Sequence, residues 1–112
     1  MTTRLTVEHA LAEVGDAPEP FKVLFRHGSL EVEMYKPEVV DHQQPHTRDE
    51  IYVVATGSGT FAVDGVATPC VAGEVLFAAA GVEHRFVDFT DDFATWVFFY
   101  GPEGGEVREG AG

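Results

Sequence analysis

Between residues 21 and 100 the sequence runs in short stretches separated by turn residues, with no helical pattern to link them. Stretches at 21–26, 29–35, 50–55, 60–63, 66–71, 74–78, 83–89 and 93–100 read as strands. The clearest is 29–35, where Leu30, Val32 and Met34 alternate with Glu31 and Glu33. That period of two belongs to a strand with one wet face. Asp64-Gly65 is a strong hairpin signal, because a two-residue turn needs left-handed backbone that these residues adopt cheaply. Parallel strands need long, usually helical crossovers. The one long interval, 36–48, is polar and punctuated by Pro37 and Pro45, so it reads largely as loop. A parallel α/β architecture is thereby excluded, and many short strands at this spacing predict an all-β sandwich or barrel.

One segment departs from this pattern. Thr6 is placed to cap a short helix over 7–14, with Glu8 in its first turn, and the run 15–20 (GDAPEP) then ends it. The expected division is an N-terminal helix and extension over 1–20, a barrel over 21–101, and a glycine-rich, flexible C-terminal tail over 102–112. With 112 residues the chain has room for one domain.

The chain carries 7 Lys+Arg against 19 Asp+Glu, a formal net charge of −12. Such a surface repels nucleic acid and anionic membranes, so neither is expected as a partner. Apolar runs such as 75–80 are too short to cross a bilayer. Cys70 is the single cysteine, which excludes an intrachain disulfide and a cysteine-based zinc framework. Glu8 and Glu13 sit where a secretory leader would be apolar, so a soluble cytoplasmic protein is expected. Cys70 itself is expected to be a buried small residue.

The chemistry concentrates in two places. In the first, Gln44-Pro45-His46-Thr47-Arg48-Asp49-Glu50 precedes a strand, and Gly57 follows six residues after Glu50. Gln44 and His46 share a face on an extended chain, and Glu50 opens the next strand. In the second, Gly73 is followed after five residues by Ala79-x-Gly81, then by His84 and, three residues further, Asp88. Two imidazoles and a carboxylate suit a divalent first-row metal with open coordination positions. His42 shares the parity of Gln44 and is read as a loop or supporting residue, with direct ligation as the alternative. His9 and His27 fall on a helix face and in a turn, where solvated positions are expected.

In these two stretches the sequence resembles the cupin superfamily. The first cupin motif is a glycine, five residues, His-x-His, three or four residues, Glu, six residues and a glycine. The second is Gly, five residues, Pro-x-Gly, two residues, His, three residues and Asn. Every spacing is met here, with four changes of residue: Glu38 for the leading Gly, Gln44 for the first His, Ala79 for Pro and Asp88 for Asn. The resemblance covers roughly residues 35–90. It implies a double-stranded β-helix (jelly-roll) barrel. It implies a divalent metal ion (Fe, Mn, Zn or Ni) held by Gln44, His46, Glu50 and His84.

Strand parity places Tyr52 and Val54 on the face of Glu50, and Phe86 and Asp88 on the face of His84. Tyr52, Phe86 and His42 are thus the candidate pocket residues for a small-molecule ligand. In the last strand Trp96, Phe98 and Tyr100 share one face while Val97 and Phe99 share the other, so both faces are apolar. One fills the barrel. The other is expected to be covered by a second copy in a homodimer, or alternatively by the N-terminal segment. The function expected is a small metal-binding cupin, a metal-dependent oxygenase or isomerase of unknown substrate. The alternative is a non-catalytic ligand-binding or sensor module.

Overall fold

The computed structural model describes residues 3–107. Within them lie one helix, α1 (Val7–Gly15), and eight strands. These are β1 (Phe21–His27), β2 (Leu30–Tyr35), β3 (Asp49–Thr56), β4 (Ser58–Val63), β5 (Val66–Val71), β6 (Val75–Ala78), β7 (His84–Val87) and β8 (Ala94–Tyr100). Thr6 caps α1, its hydroxyl accepting from the His9 N–H at 3.2 Å. His9 and His27 are both exposed.

The strands form two antiparallel sheets, β1-β2-β8-β3-β6 and β5-β4-β7. The sheets face each other without closing, an all-β jelly roll. An aromatic core fills the space between them. Tyr52, Val97 and Phe99 come from the larger sheet, and Phe61, Phe86 and Cys70 from the smaller, with Phe93 beside them. Phe86 is central: its ring lies 4.8 Å from those of Phe61 and Phe93 and meets Tyr52 edge-on at 5.2 Å. Cys70 is buried there. No helix among the described residues is long and apolar enough to cross a membrane.

The turns follow from backbone sterics. Asp64 (φ 49°) and Gly65 (φ 82°) both take the left-handed conformation that a two-residue hairpin requires. Gly57, between β3 and β4, has φ 74°. A Cβ there would lie 2.5 Å from Thr90 Oγ1 and 2.8 Å from the Phe93 Cα, so no side chain fits.

One expectation from strand parity changes on folding. β7 ends at Val87, and Asp88 turns left-handed (φ 50°) into solvent, so it does not face inward. Asp, like Asn, tolerates that conformation, which explains its fit at the family's Asn position. In β2 the wet face is the inner one. Met34 lies under α1 with Ala10, Val14 and Ala94, while Glu31, Glu33 and Tyr35 pair with Phe99, Val97 and Thr95 of β8. The helix supplies the apolar cover that Val32 and Met34 need on the outside.

The outer face of β8 is therefore partly covered by the N-terminal segment, which packs on Ala94 and Trp96. Beyond the helix the same face continues through Ile51 and Val53 to Val75 and Phe77, which are 66% and 52% exposed.

Candidate metal centre

Glu50 and His84 stand near the starts of β3 and β7, and His46 comes from the loop between β2 and β3. That loop is tied down from several sides. The His46 carbonyl accepts from the Gly81 N–H at 2.7 Å, which joins the His46 loop directly to the turn that aims His84. The buried Asp49 carboxylate accepts from the Ala80 N–H at 2.9 Å and the Glu106 N–H at 2.8 Å. Gly104 donates to the Thr47 carbonyl at 2.6 Å. Residues 104–106 of the expected tail thus lie against the loop; 108–112 are outside the described residues.

Asp41 is the loop's internal anchor. It is 2% exposed and accepts four hydrogen bonds. Oδ1 takes the Tyr35 hydroxyl at 2.5 Å and the Gln43 N–H at 3.0 Å. Oδ2 takes the Gln43 side-chain amide and the Phe86 N–H, both at 2.7 Å. Four donors on one carboxylate offset the cost of burying it. They also link β2, the loop and β7 at one point.

The result is a tight cluster. His46 Nδ1 lies 2.7 Å from Glu50 Oε1, and His84 Nε2 lies 2.9 Å from Glu50 Oε2. One ligand atom from each residue falls within 4.8 Å of the others. His46 Nδ1, Glu50 Oε1 and His84 Nε2 are all buried without a partner in hydrogen-bonding geometry, despite the short distances. His84 Nδ1 is 2.9 Å from the Val82 carbonyl, which only accepts, so Nδ1 carries the proton. In the neutral ring, Nε2 then turns a lone pair toward a carboxylate. That arrangement calls for a cation between them, either a proton or a metal ion.

The electrostatics agree. Burial pushes the Glu50 carboxyl up, but His46 and His84 outweigh it and hold it below the usual range. Burial pushes His84 down, but Glu50 and the Val82 carbonyl outweigh it and hold the ring above its ordinary value. Tyr52, completely buried, donates to Glu50 Oε2 at 2.9 Å and lies 3.0 Å from Gln43 Oε1. Burial, followed by the Glu50 charge, raises its hydroxyl far above the usual value.

The comparisons with known proteins converge. The model of the family described as "Cupin domain" matches residues 31–100. The chain belongs to the cupin family. An uncharacterised protein of Streptomyces coelicolor is 32% identical over 80 residues, covering 70% of this chain and 76% of the relative. A Neisseria meningitidis protein matches in structure with TM-score 0.70 at 17% identity, over 88% of this chain and 100% of that one. A cupin 2 conserved barrel domain protein of Salinispora arenicola matches with TM-score 0.66 at 22% identity, over 90% and 89%. KdgF from Halomonas sp. matches with TM-score 0.65 at 20% identity, over 76% and 84%.

In this cupin, then, the three residues that meet are His46, Glu50 and His84. The set fits a metal: two imidazoles, one of fixed tautomer, and a carboxylate, with buried atoms lacking other partners. Gln44 is exposed, and the neighbouring Gln43 places its side-chain oxygen 3.0 Å from the Tyr52 hydroxyl. Tyr52 and Phe86 are fully buried; the first supports Glu50 and the second sits in the aromatic core. His42 is exposed at a cavity mouth.

That cavity, of ≈ 260 Å³, lies beside His46 and is also lined by Phe21, Glu33, Tyr35 and Gln43. A second, of ≈ 490 Å³, runs along the end of α1 and shares Pro20, Tyr35 and His42 with it. Sequence reasoning missed Asp41, Gln43 and Glu33. Only Glu33 carried a signal, through its shared parity with Tyr35.

Proposed function

We propose that this cupin binds a divalent first-row metal ion on His46, Glu50 and His84 and presents it to a small molecule in the adjacent cavity. The carrying observation is the Val82–His84 hydrogen bond, which leaves Nε2 aimed at Glu50 in a cluster of three partnerless buried atoms. Iron, manganese, zinc and nickel all accept such a donor set. A bound ion would supply Lewis acidity, polarising an oxygen of the ligand as metal-dependent oxygenases and isomerases require. The chain's own contribution is to fix the donors: Val82 sets the His84 tautomer, and Tyr52 steadies Glu50.

The reading includes a homodimer formed through the outer face of Phe98, Ile51 and Phe77, where exposed apolar surface continues past α1. It places the protein in the cytoplasm, where a lone thiol stays reduced. Nucleic acid and anionic membranes are not partners, given the charge of −12.

The test is cobalt(II) titration of the purified protein. The reading predicts saturable d–d bands in the wild type that are lost in Glu50→Gln and His84→Ala. Identical spectra in all three proteins would rule the site out.

A further inference from the structure

Six carboxylates among the described residues are at least partly buried. Five have partners. Glu13 meets His9, and Glu31 meets both Arg26 and Arg48. Asp41, Asp49 and Glu50 hold the contacts given above. Glu33 has neither an ion pair nor a hydrogen bond among the described residues, although it lies on the inner face of β2 opposite Val97. A carboxyl group half out of water without a partner is costly at a purely structural position.

Its surroundings say what it faces. Glu33 and His46 line the same ≈ 260 Å³ cavity. Of the other polar groups there, the Tyr35 hydroxyl and the Gln43 side-chain NH2 both donate to Asp41, while His42 stands exposed. No lysine or arginine lines the cavity, so no side chain there offsets a second negative charge beside Glu33. Burial first, then the charges of Glu31 and Glu50, push the Glu33 carboxyl up to about 8. In the metal-free protein near neutral pH it can both donate and accept a hydrogen bond.

We propose that Glu33 is the ligand-contacting group of this cavity. The ligand class it selects is a small uncharged molecule with two neighbouring oxygen functions, one held by Glu33 and the other directed to the metal. The proposal rests on the metal-binding reading for the second oxygen but not for the first. Glu33 and His46 both line the cavity, so a ligand seated there lies against both residues.

The probe is hydroxyacetone, uncharged at neutral pH, with adjacent hydroxyl and carbonyl oxygens. Amide shifts are followed by NMR in zinc-loaded and metal-free protein. Imidazole, which needs the metal alone, is the control. Zinc-loaded wild type is expected to bind hydroxyacetone with shifts at Phe21, Tyr35 and Gln43. In Glu33→Ala that affinity falls about tenfold or more, as for loss of one strong hydrogen bond. Zinc stoichiometry and imidazole affinity stay unchanged. Equal hydroxyacetone affinity in the two proteins overturns the proposal.

Wild type that takes up none of iron, manganese, nickel and zinc refutes the metal reading separately. Glu33-dependent shifts in the metal-free protein then still support Glu33, and their absence overturns it. Thermal melting of Glu33→Gln gives a further check. A midpoint at or above wild type fits a group without structural partners, and a clearly lower midpoint overturns the proposal.

Discussion

Replacing Asp41 with asparagine is predicted to cost far more than its near-identical shape suggests. All four groups at the carboxylate are donors, two on each oxygen. An amide keeps one acceptor oxygen and sets an NH2 on the other side. If the NH2 faces Phe86 and the Gln43 side chain, the buried Phe86 N–H loses its acceptor. If it faces Tyr35 and the Gln43 backbone, the Gln43 N–H loses its acceptor instead. The Tyr35 hydroxyl and the Gln43 side-chain amide can reorient, but the backbone donors cannot. Either orientation leaves a backbone N–H unpaired, at about 1–3 kcal/mol, and removes charge assistance from the remaining bonds. The expected loss is about 2–4 kcal/mol for Asp41→Asn and about 3–5 kcal/mol for Asp41→Ala. A domain stable by about 5–15 kcal/mol would feel either change severely. Urea unfolding of the metal-free protein, read by tyrosine and tryptophan fluorescence, measures it. A double-mutant cycle with Tyr35→Phe isolates the hydroxyl bond. Because the same carboxylate positions the His46 loop, metal affinity should fall in Asp41→Asn with all three donors intact. A loss under about 0.5 kcal/mol would refute the reasoning, since that is the range of inert surface changes.

Other consequences follow from the same geometry. Gly57→Ala should destabilise by about 2–4 kcal/mol, combining a left-handed backbone with a backbone clash, whereas Gly65→Ala, with open space around it, should cost about 1 kcal/mol; equal losses by urea titration would contradict the contacts at Gly57. Tyr52→Phe removes the hydroxyl that steadies Glu50 and should weaken metal binding by about 10–100-fold, checked by competition with a chromophoric chelator, with an unchanged affinity counting against the role. The metal-free protein should lose stability as pH rises. Glu33, raised from 4.5 to about 8, holds a proton in the fold that the unfolded chain gives up above 4.5. His84, raised above 6.5, contributes stability below 6.5 that is lost as pH climbs through its folded value. Glu50, lowered from 4.5, contributes above 4.5 and loses its share only as pH falls through its folded value. Zinc should oppose the alkaline decline, because protons compete with the metal for the imidazoles. Parallel alkaline limbs with and without zinc, in thermal melts across pH, would count against the centre.

The fold was legible because its signals are local. The alternation at Leu30, Val32 and Met34 and the Asp64-Gly65 turn each report backbone geometry that neighbouring residues decide. His46, Glu50 and His84 were legible for a different reason, since two rigid turns and a strand start fix their spacing. What lay hidden depended on where each face goes. The pattern of β2 has the right period, but sequence alone does not say that α1 covers Met34 and leaves Glu33 facing the cavity. Gln44 and His42 share the parity of His46 on an extended chain, whereas Val39 turns left-handed and the loop leaves both exposed. Gln43 and Asp41 face inward instead, and Asp41 is recognisable only once Phe86, 45 residues away, is seen to donate to it.

Elemental analysis tests the central claim most directly. Purified wild type and His46→Ala are reconstituted in turn with iron, manganese, nickel and zinc, desalted, and assayed for metal per chain. The account predicts a stoichiometric ion in the wild type for at least one of these metals and its loss in His46→Ala. A wild type that retains none of the four, or a variant that retains as much as the wild type, would contradict it.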